Sequence, residues 1–397
     1  MQDKRSVRWA FAKILSAISA LTVACSGADA RGDRAQGAAQ TPQACGPQDG
    51  AASLSSGASL LEPLAPGDVV AEPVRFTSRG DELEGVVQTP GGSEGTRRPA
   101  VLLVGDAGPM DIDGHVGGSL GVALPVEVPV YARLASDLAR RGFVVMRYTK
   151  RTCTRAQSAR CPYPPSHVTK HRDEMITTLR EDAGQALASL KNRSDVDVTQ
   201  VVVVGHGQGA EIALGMAQRA RAVVALAPPV HSPADVTKHQ LARSAEYARM
   251  ASEREGDTAT GDLLRKQLAV IEREREELTR GMEGMSTAAS TDVLLGVPVR
   301  VWRALGKLHE EAMQTTRHSS APVLVLFAEL DTTLPEDTPQ AYKRALAPSS
   351  EGRGARVTRV LEDVTHDFVV LAEDREPAFS EEVSVAIVQF LDGVLRN

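Results

Sequence analysis

The chain has 397 residues, enough for one large α/β domain with an insertion or for two domains. Hydrophobic residues make up 42% and charged residues 24%, ordinary proportions that allow a large buried core. A net charge of -6 without a basic stripe, and only 4% aromatic residues, argue against nucleic acid as a partner.

At the N-terminus, Lys4, Arg5, Arg8 and Lys13 precede an apolar run over 14–24. This is the layout of a signal peptide, assigned to residues 1–24, and the run is shorter than the roughly 20 residues a membrane span needs. It ends in Leu21-Thr22-Val23-Ala24-Cys25, which resembles a bacterial lipobox, with Thr22 where Leu is usual. In that reading Cys25 is lipidated and becomes the mature N-terminus, on a cell-envelope protein facing the periplasm or exterior. The rival readings are plain secretion with cleavage after Ala28-Asp29-Ala30, and a retained anchor. Residues 25–66 are dominated by Ala, Gly, Ser, Gln and Asp with no hydrophobic periodicity, and read as a flexible tether. Cys153 and Cys161 lie in a polar loop and predict a disulfide in an oxidising compartment, while Cys45 falls in the tether. No cysteine spacing resembles a zinc site, so neither metal nor cofactor is expected.

Past the tether, short strands around 74–78 and 83–87 read as an opening hairpin. The run over 100–104 is apolar throughout, as in a strand buried on both faces. A glycine-rich loop follows to Gly121, then a helix over 130–140 and a buried strand over 143–146. A long helix is expected over 171–191, a strand over 201–204, a helix over 211–219 and a strand over 223–226. Such alternation predicts a mostly parallel sheet flanked by helices, with ligands at the carboxyl ends of the strands. The pattern breaks after Pro228-Pro229. In residues 231–318, Leu263, Leu264, Leu268, Ile271 and Leu278 recur at helical spacing, which reads as an inserted helical cap or a partner-binding coiled helix. Strands at 322–327 and 356–361 and a closing helix over 381–395 resume the core. The expected organisation is therefore core over 67–230, cap over 231–318 and core again over 319–397.

The central chemical signal is Val201-Val202-Val203-Val204-Gly205-His206-Gly207-Gln208-Gly209. A buried strand runs into a glycine-flanked turn and then a helix, as in the nucleophile elbow G-x-S-x-G. Gly207 stands at the nucleophile position and has no atom that can attack a carbonyl. It tolerates the strained backbone of that position, which costs a residue with a side chain about 1–3 kcal/mol. A dinucleotide or phosphate loop is disfavoured, because neither Lys-Ser nor Lys-Thr follows and the glycine spacing differs. In this fold the acid and histidine follow the nucleophile in chain order. Asp331, after the 322–327 strand, and His366, after the 356–361 strand, sit where those two are needed and are expected to form a hydrogen-bonded pair.

Together these segments resemble the α/β-hydrolase superfamily, in its serine aminopeptidase and esterase-like branch. Gly105-Asp106-Ala107-Gly108-Pro109-Met110-Asp111 is similar to that branch's Gly-Ser-Gly-Pro-x-Asp loop, and Tyr148-Thr149-Lys150-Arg151 to its Tyr-Asp-Lys-Arg segment. The resemblance implies hydrolysis of small esters, thioesters or amides through a serine. It implies an oxyanion hole from the N–H of Gln208 and a second N–H near Asp106 or Ala107. This chain departs at Gly207 and at Asp106, whose carboxylate beside the hole would repel a developing oxyanion. The leading expectation is a pseudoenzyme that binds a small ester- or amide-like ligand, or a partner, beneath the cap. The alternatives are a hydrolase in which His366 and Asp331 activate water held in the space at Gly207, and a nucleophile supplied by Cys153 or Ser232.

Overall fold

The computed structural model describes residues 69–92, 95–116, 127–346, 354–371 and 376–395. The expected signal peptide over 1–24, the lipidation site Cys25 and the tether over 25–66 lie outside the described residues. The chain builds an eight-stranded sheet, whose strands alone are numbered here. They are β1 Val69–Ser78, β2 Asp81–Pro90, β3 Arg98–Val104, β4 Val144–Tyr148, β5 Val196–His206, β6 Ala222–Leu226, β7 Val323–Ala328 and β8 Arg356–Leu361. Their spatial order is β1-β2-β4-β3-β5-β6-β7-β8.

The hairpin of β1 and β2 is closed by Arg79 and Gly80, both at positive φ (50° and 76°), as a two-residue turn between twisted strands requires. β2 meets β4 antiparallel, and every later pairing is parallel. β4, β6 and β7 are buried at every residue, which is why they read as unbroken apolar runs rather than alternating ones. The cover comes from α1 Val130–Arg140 packed with α8 Glu381–Leu395, and from α2 Met175–Lys191 and α3 Gln208–Gly215, each packed with α6 Val299–His318.

Two helices start elsewhere than their periodicity suggests. α2 begins at Met175, after a 3-10 turn over Arg172–Glu174, and α3 begins at Gln208, because Gly207 itself turns the chain. Between β6 and α6 lies a helical hairpin of α4 Pro233–Glu255 and α5 Ala259–Glu283. Ser232 accepts the Asp235 N–H at the start of α4, Pro233 fits the first turn, and Gly256 (φ 58°) ends it. Thr258 caps α5 in the same way. The α5 stripe is only partly used: Ile271 and Leu278 are buried, while Leu263 is exposed. α6, which the sequence reading places inside the insertion, packs on the core helices α2 and α3. α7 Thr338–Ala345, without a counterpart in the sequence reading, follows β7. No helix among the described residues is long and apolar enough to cross a membrane.

Candidate active site

Four strand ends converge. β3 delivers Gly105, Asp106 and Ala107; β5 delivers Gly207 and Gln208; Asp331 follows β7 and His366 follows β8. The turn at the end of β5 is very tight. A Cβ on Gly205 would overlap the Gly209 carbonyl, and one on Gly209 would overlap the carbonyls of Val104 and Gly105. Gly207 itself has φ 52° and ψ -116°, the strained form that lifts the central residue of such a turn above the sheet.

The place a nucleophile would take is occupied. A Cβ built on Gly207 would fall on the Asp106 carboxylate. Asp106 Oδ1 accepts the Ala107 N–H at 2.6 Å and the Gln208 N–H at 2.9 Å. Asp106 Oδ2 lies 3.4 Å from His366 Nε2. His366 Nδ1 donates to Asp331 Oδ2 at 2.7 Å, and Asp331 Oδ1 accepts the N–H groups of Thr333 (2.7 Å) and Leu334 (3.2 Å). An acid–histidine–acid line results, with one imidazole between two carboxylates.

Burial works against every charge on that line, and the neighbours outweigh it. Burial alone would lower the His366 pKa, but Asp331 and Asp106 push it up to about 9. Burial would raise both carboxylates, yet the His366 hydrogen bonds and nearby backbone N–H groups hold Asp106 and Asp331 below the usual range. At neutral pH the site is therefore an imidazolium flanked by two carboxylates.

A second line holds the geometry from beneath. The Asp106 N–H donates to the Tyr131 hydroxyl at 2.8 Å. Tyr131 in turn bonds His206 Nδ1 at 3.0 Å, and His206 Nε2 donates to the His366 carbonyl at 3.0 Å. A carbonyl only accepts, so Nε2 carries the proton and Nδ1 receives the Tyr131 O–H. Asp106, His206 and His366 each bring a ligand atom within 4.8 Å of the others, but the His206 nitrogens are committed to these hydrogen bonds. Lys150 is buried, and its Nζ donates to the Asp106 carbonyl (2.6 Å) and to Gln208 Oε1 (3.1 Å). Burial lowers its pKa to about 8, against the pull of Asp106 and Asp182. Beneath it, fully buried Arg151 pairs with Asp182 and Asp81.

Three features of the site differ from what the sequence predicts. The Asp106 N–H is not an oxyanion donor, since it points to Tyr131, and the two donors that converge, from Ala107 and Gln208, are spent on the Asp106 side chain. The space at Gly207, expected to hold a water, is filled by that same carboxylate. Neither alternative nucleophile is placed to act: Cys153 is in a disulfide with Cys161, and Ser232 donates to Asp235 Oδ2 at 2.6 Å as a helix cap. Tyr131, His206 and Lys150 carry no assigned role in the sequence, because side chains spaced this far apart reveal their contacts only once folded.

The Alpha/beta hydrolase family matches residues 117–381, and the chain belongs to that family. Esterase EstD of Thermotoga maritima is 32% identical over 145 residues, which is 36% of this chain and 30% of that protein. The match thus spans less than a third of that relative. Among solved structures, one from a study of two prolyl endopeptidases aligns with a TM-score of 0.51 and 14% identity, over 84% of this chain and 40% of that one. A puromycin-hydrolyzing peptidase of Mycobacterium tuberculosis aligns at 0.48 and 16%, over 82% and 39%. At 14% identity the first of these shows the shared fold alone.

Proposed function

We propose that this chain is a lipid-anchored cell-envelope protein of the esterase- and peptidase-like branch of the α/β hydrolases that is closed to acyl-transfer chemistry, a pseudo-hydrolase toward esters and amides. The observation that carries the reading is Asp106 Oδ1 on both the Ala107 and Gln208 N–H groups. Serine-type hydrolysis needs an attacking oxygen and donors free to hold the oxyanion. Gly207 supplies no oxygen, and both donors already hold a negative charge. A site that loses a triad member keeps roughly 10³–10⁴-fold catalysis over water through its oxyanion hole and its binding. With the hole filled, that residual is forfeited as well. The His366–Asp331 pair persists, and the site receives a small molecule at the strand ends beside the α4–α5 hairpin. Exposure of the full-length protein, in detergent, to a fluorophosphonate and to p-nitrophenyl acetate tests this. No covalent labelling and no hydrolysis above a His366→Ala control are expected. Hydrolysis lost in His366→Ala overturns the reading.

A further inference from the structure

We infer that Asp106 stands in for the missing nucleophile, attacking a saturated carbon that bears an anionic leaving group and forming an alkyl ester on its own side chain. This rests on the reading that the site is closed to acyl transfer, and extends it. Three observations converge. Gly207 leaves open the volume that the Asp106 carboxylate takes. Oδ1 is fixed by two N–H donors, which leaves Oδ2 as the attacking atom, 3.4 Å from His366 Nε2. The Asp106 side chain keeps 20% of its surface exposed while His366 keeps 6%, so the carboxylate is the group a substrate meets first.

The same hydrogen bonds select the electrophile. Attack on an ester or amide carbonyl builds an oxyanion on the substrate, and no donor is left for it. Displacement at a saturated carbon builds no oxyanion in that step. The Oδ2 lone pair forms the C–O bond while the carbon–leaving-group bond breaks, and its electron pair departs with the leaving anion. Asp106 is then a neutral ester, and His366 has lost one of the two carboxylates that keep it protonated. The imidazolium gives its proton to solvent. Its Nε2 then takes a proton from a water that adds to the Asp106 carboxyl carbon. The charge of that adduct develops on Oδ1, where the Ala107 and Gln208 N–H groups already point. Collapse expels the alkoxide, which takes the proton from Nε2 and leaves as the alcohol, and the Asp106 carboxylic acid then gives its proton to Nε2, which restores the imidazolium–carboxylate pair. The balance is one water consumed, with alcohol, leaving anion and one proton released. Asp331 keeps the imidazole oriented throughout.

Full-length protein in excess over a set of primary bromoalkanes, in water enriched in oxygen-18, provides the test, read by bromide release and by mass spectrometry of the Asp106 peptide. Solvent oxygen is expected in the Asp106 carboxylate, a gain of about 2 Da, because water attacks the enzyme ester and not the substrate carbon. With the bromoalkane in excess instead, His366→Gln is expected to accumulate the alkyl ester on Asp106 and to stop after about one bromide per chain, while the native protein continues to turn over. Unlabelled Asp106 in the native protein, together with no alkylation in His366→Gln, overturns the proposal. Label found in the alcohol alone overturns it too. Ester hydrolysis by the native protein, measured separately, sinks the acyl-closed reading instead.

Discussion

Asp106 decides what the site can do, because one side chain meets three needs of the fold. It satisfies two backbone donors, fills the volume above Gly207 and gives His366 a second counter-charge. The stability it lends depends on pH in a defined direction. The His366 pKa lies above its unfolded value of about 6.5, at about 9 in the fold. Protonated His366 therefore stabilises the fold fully below pH ~6.5, and that contribution is lost as pH rises through about 9. The loss is on the order of 3 kcal/mol. Thermal unfolding followed from pH 6 to 10 is expected to show it, and Asp106→Asn is expected to shrink it and move it to lower pH. A flat profile in the native protein contradicts the assignment.

At the scale of elements, the site is clamped by the segment after β4. Lys150 holds the Asp106 backbone, the Thr152 hydroxyl donates to the Gly108 carbonyl at 2.7 Å, and the Cys153–Cys161 disulfide closes the loop behind them. Arg151 anchors this segment to α2 through Asp182, with both side chains wholly buried. Asp182→Ala removes two charge-assisted hydrogen bonds from the buried Arg151 guanidinium and leaves it the Asp81 carboxylate, so it is expected to cost about 3 kcal/mol in urea unfolding. A loss below about 1 kcal/mol would mean that the pair is hydrated and does not anchor the segment. Much of this layer is legible in sequence. The apolar runs of β3, β5 and β7, the glycine-flanked turn at Gly207, and the positions of Asp331 and His366 follow from buried parallel strands and the loops at their ends. The contents of the hole are not legible. Whether Asp106 turns inward depends on volume left by a residue 101 positions later, which only the packing of β3 beside β5 brings near. The attachment of α6 is hidden for a similar reason: the sequence places 299–318 within the insertion, and His309 reaches Glu211 of α3 at 2.9 Å only in the fold.

For the whole molecule, the proposed lipid attachment at Cys25 would set where the folded body sits. Cys25→Ser is expected to abolish fatty-acid labelling and to move the protein from the membrane fraction to the soluble one. Unchanged fractionation would mean that Cys25 is not the attachment point. The disulfide is consistent with export, since such bonds persist in oxidising compartments.

The central claim is that Asp106, together with the absent side chain at 207, closes the site to acyl transfer. The most direct measurement compares initial rates on p-nitrophenyl acetate for the native chain, Gly207→Ser, and the double variant Asp106→Ala with Gly207→Ser. A serine at 207 alone has no room beside the Asp106 carboxylate and finds no free oxyanion donor. The account predicts background rates for the native chain and for Gly207→Ser, and an acyl burst in the double variant that disappears when His366→Ala is added. Equal activity in Gly207→Ser and the double variant would contradict it, because the Asp106 carboxylate would then not be closing the site.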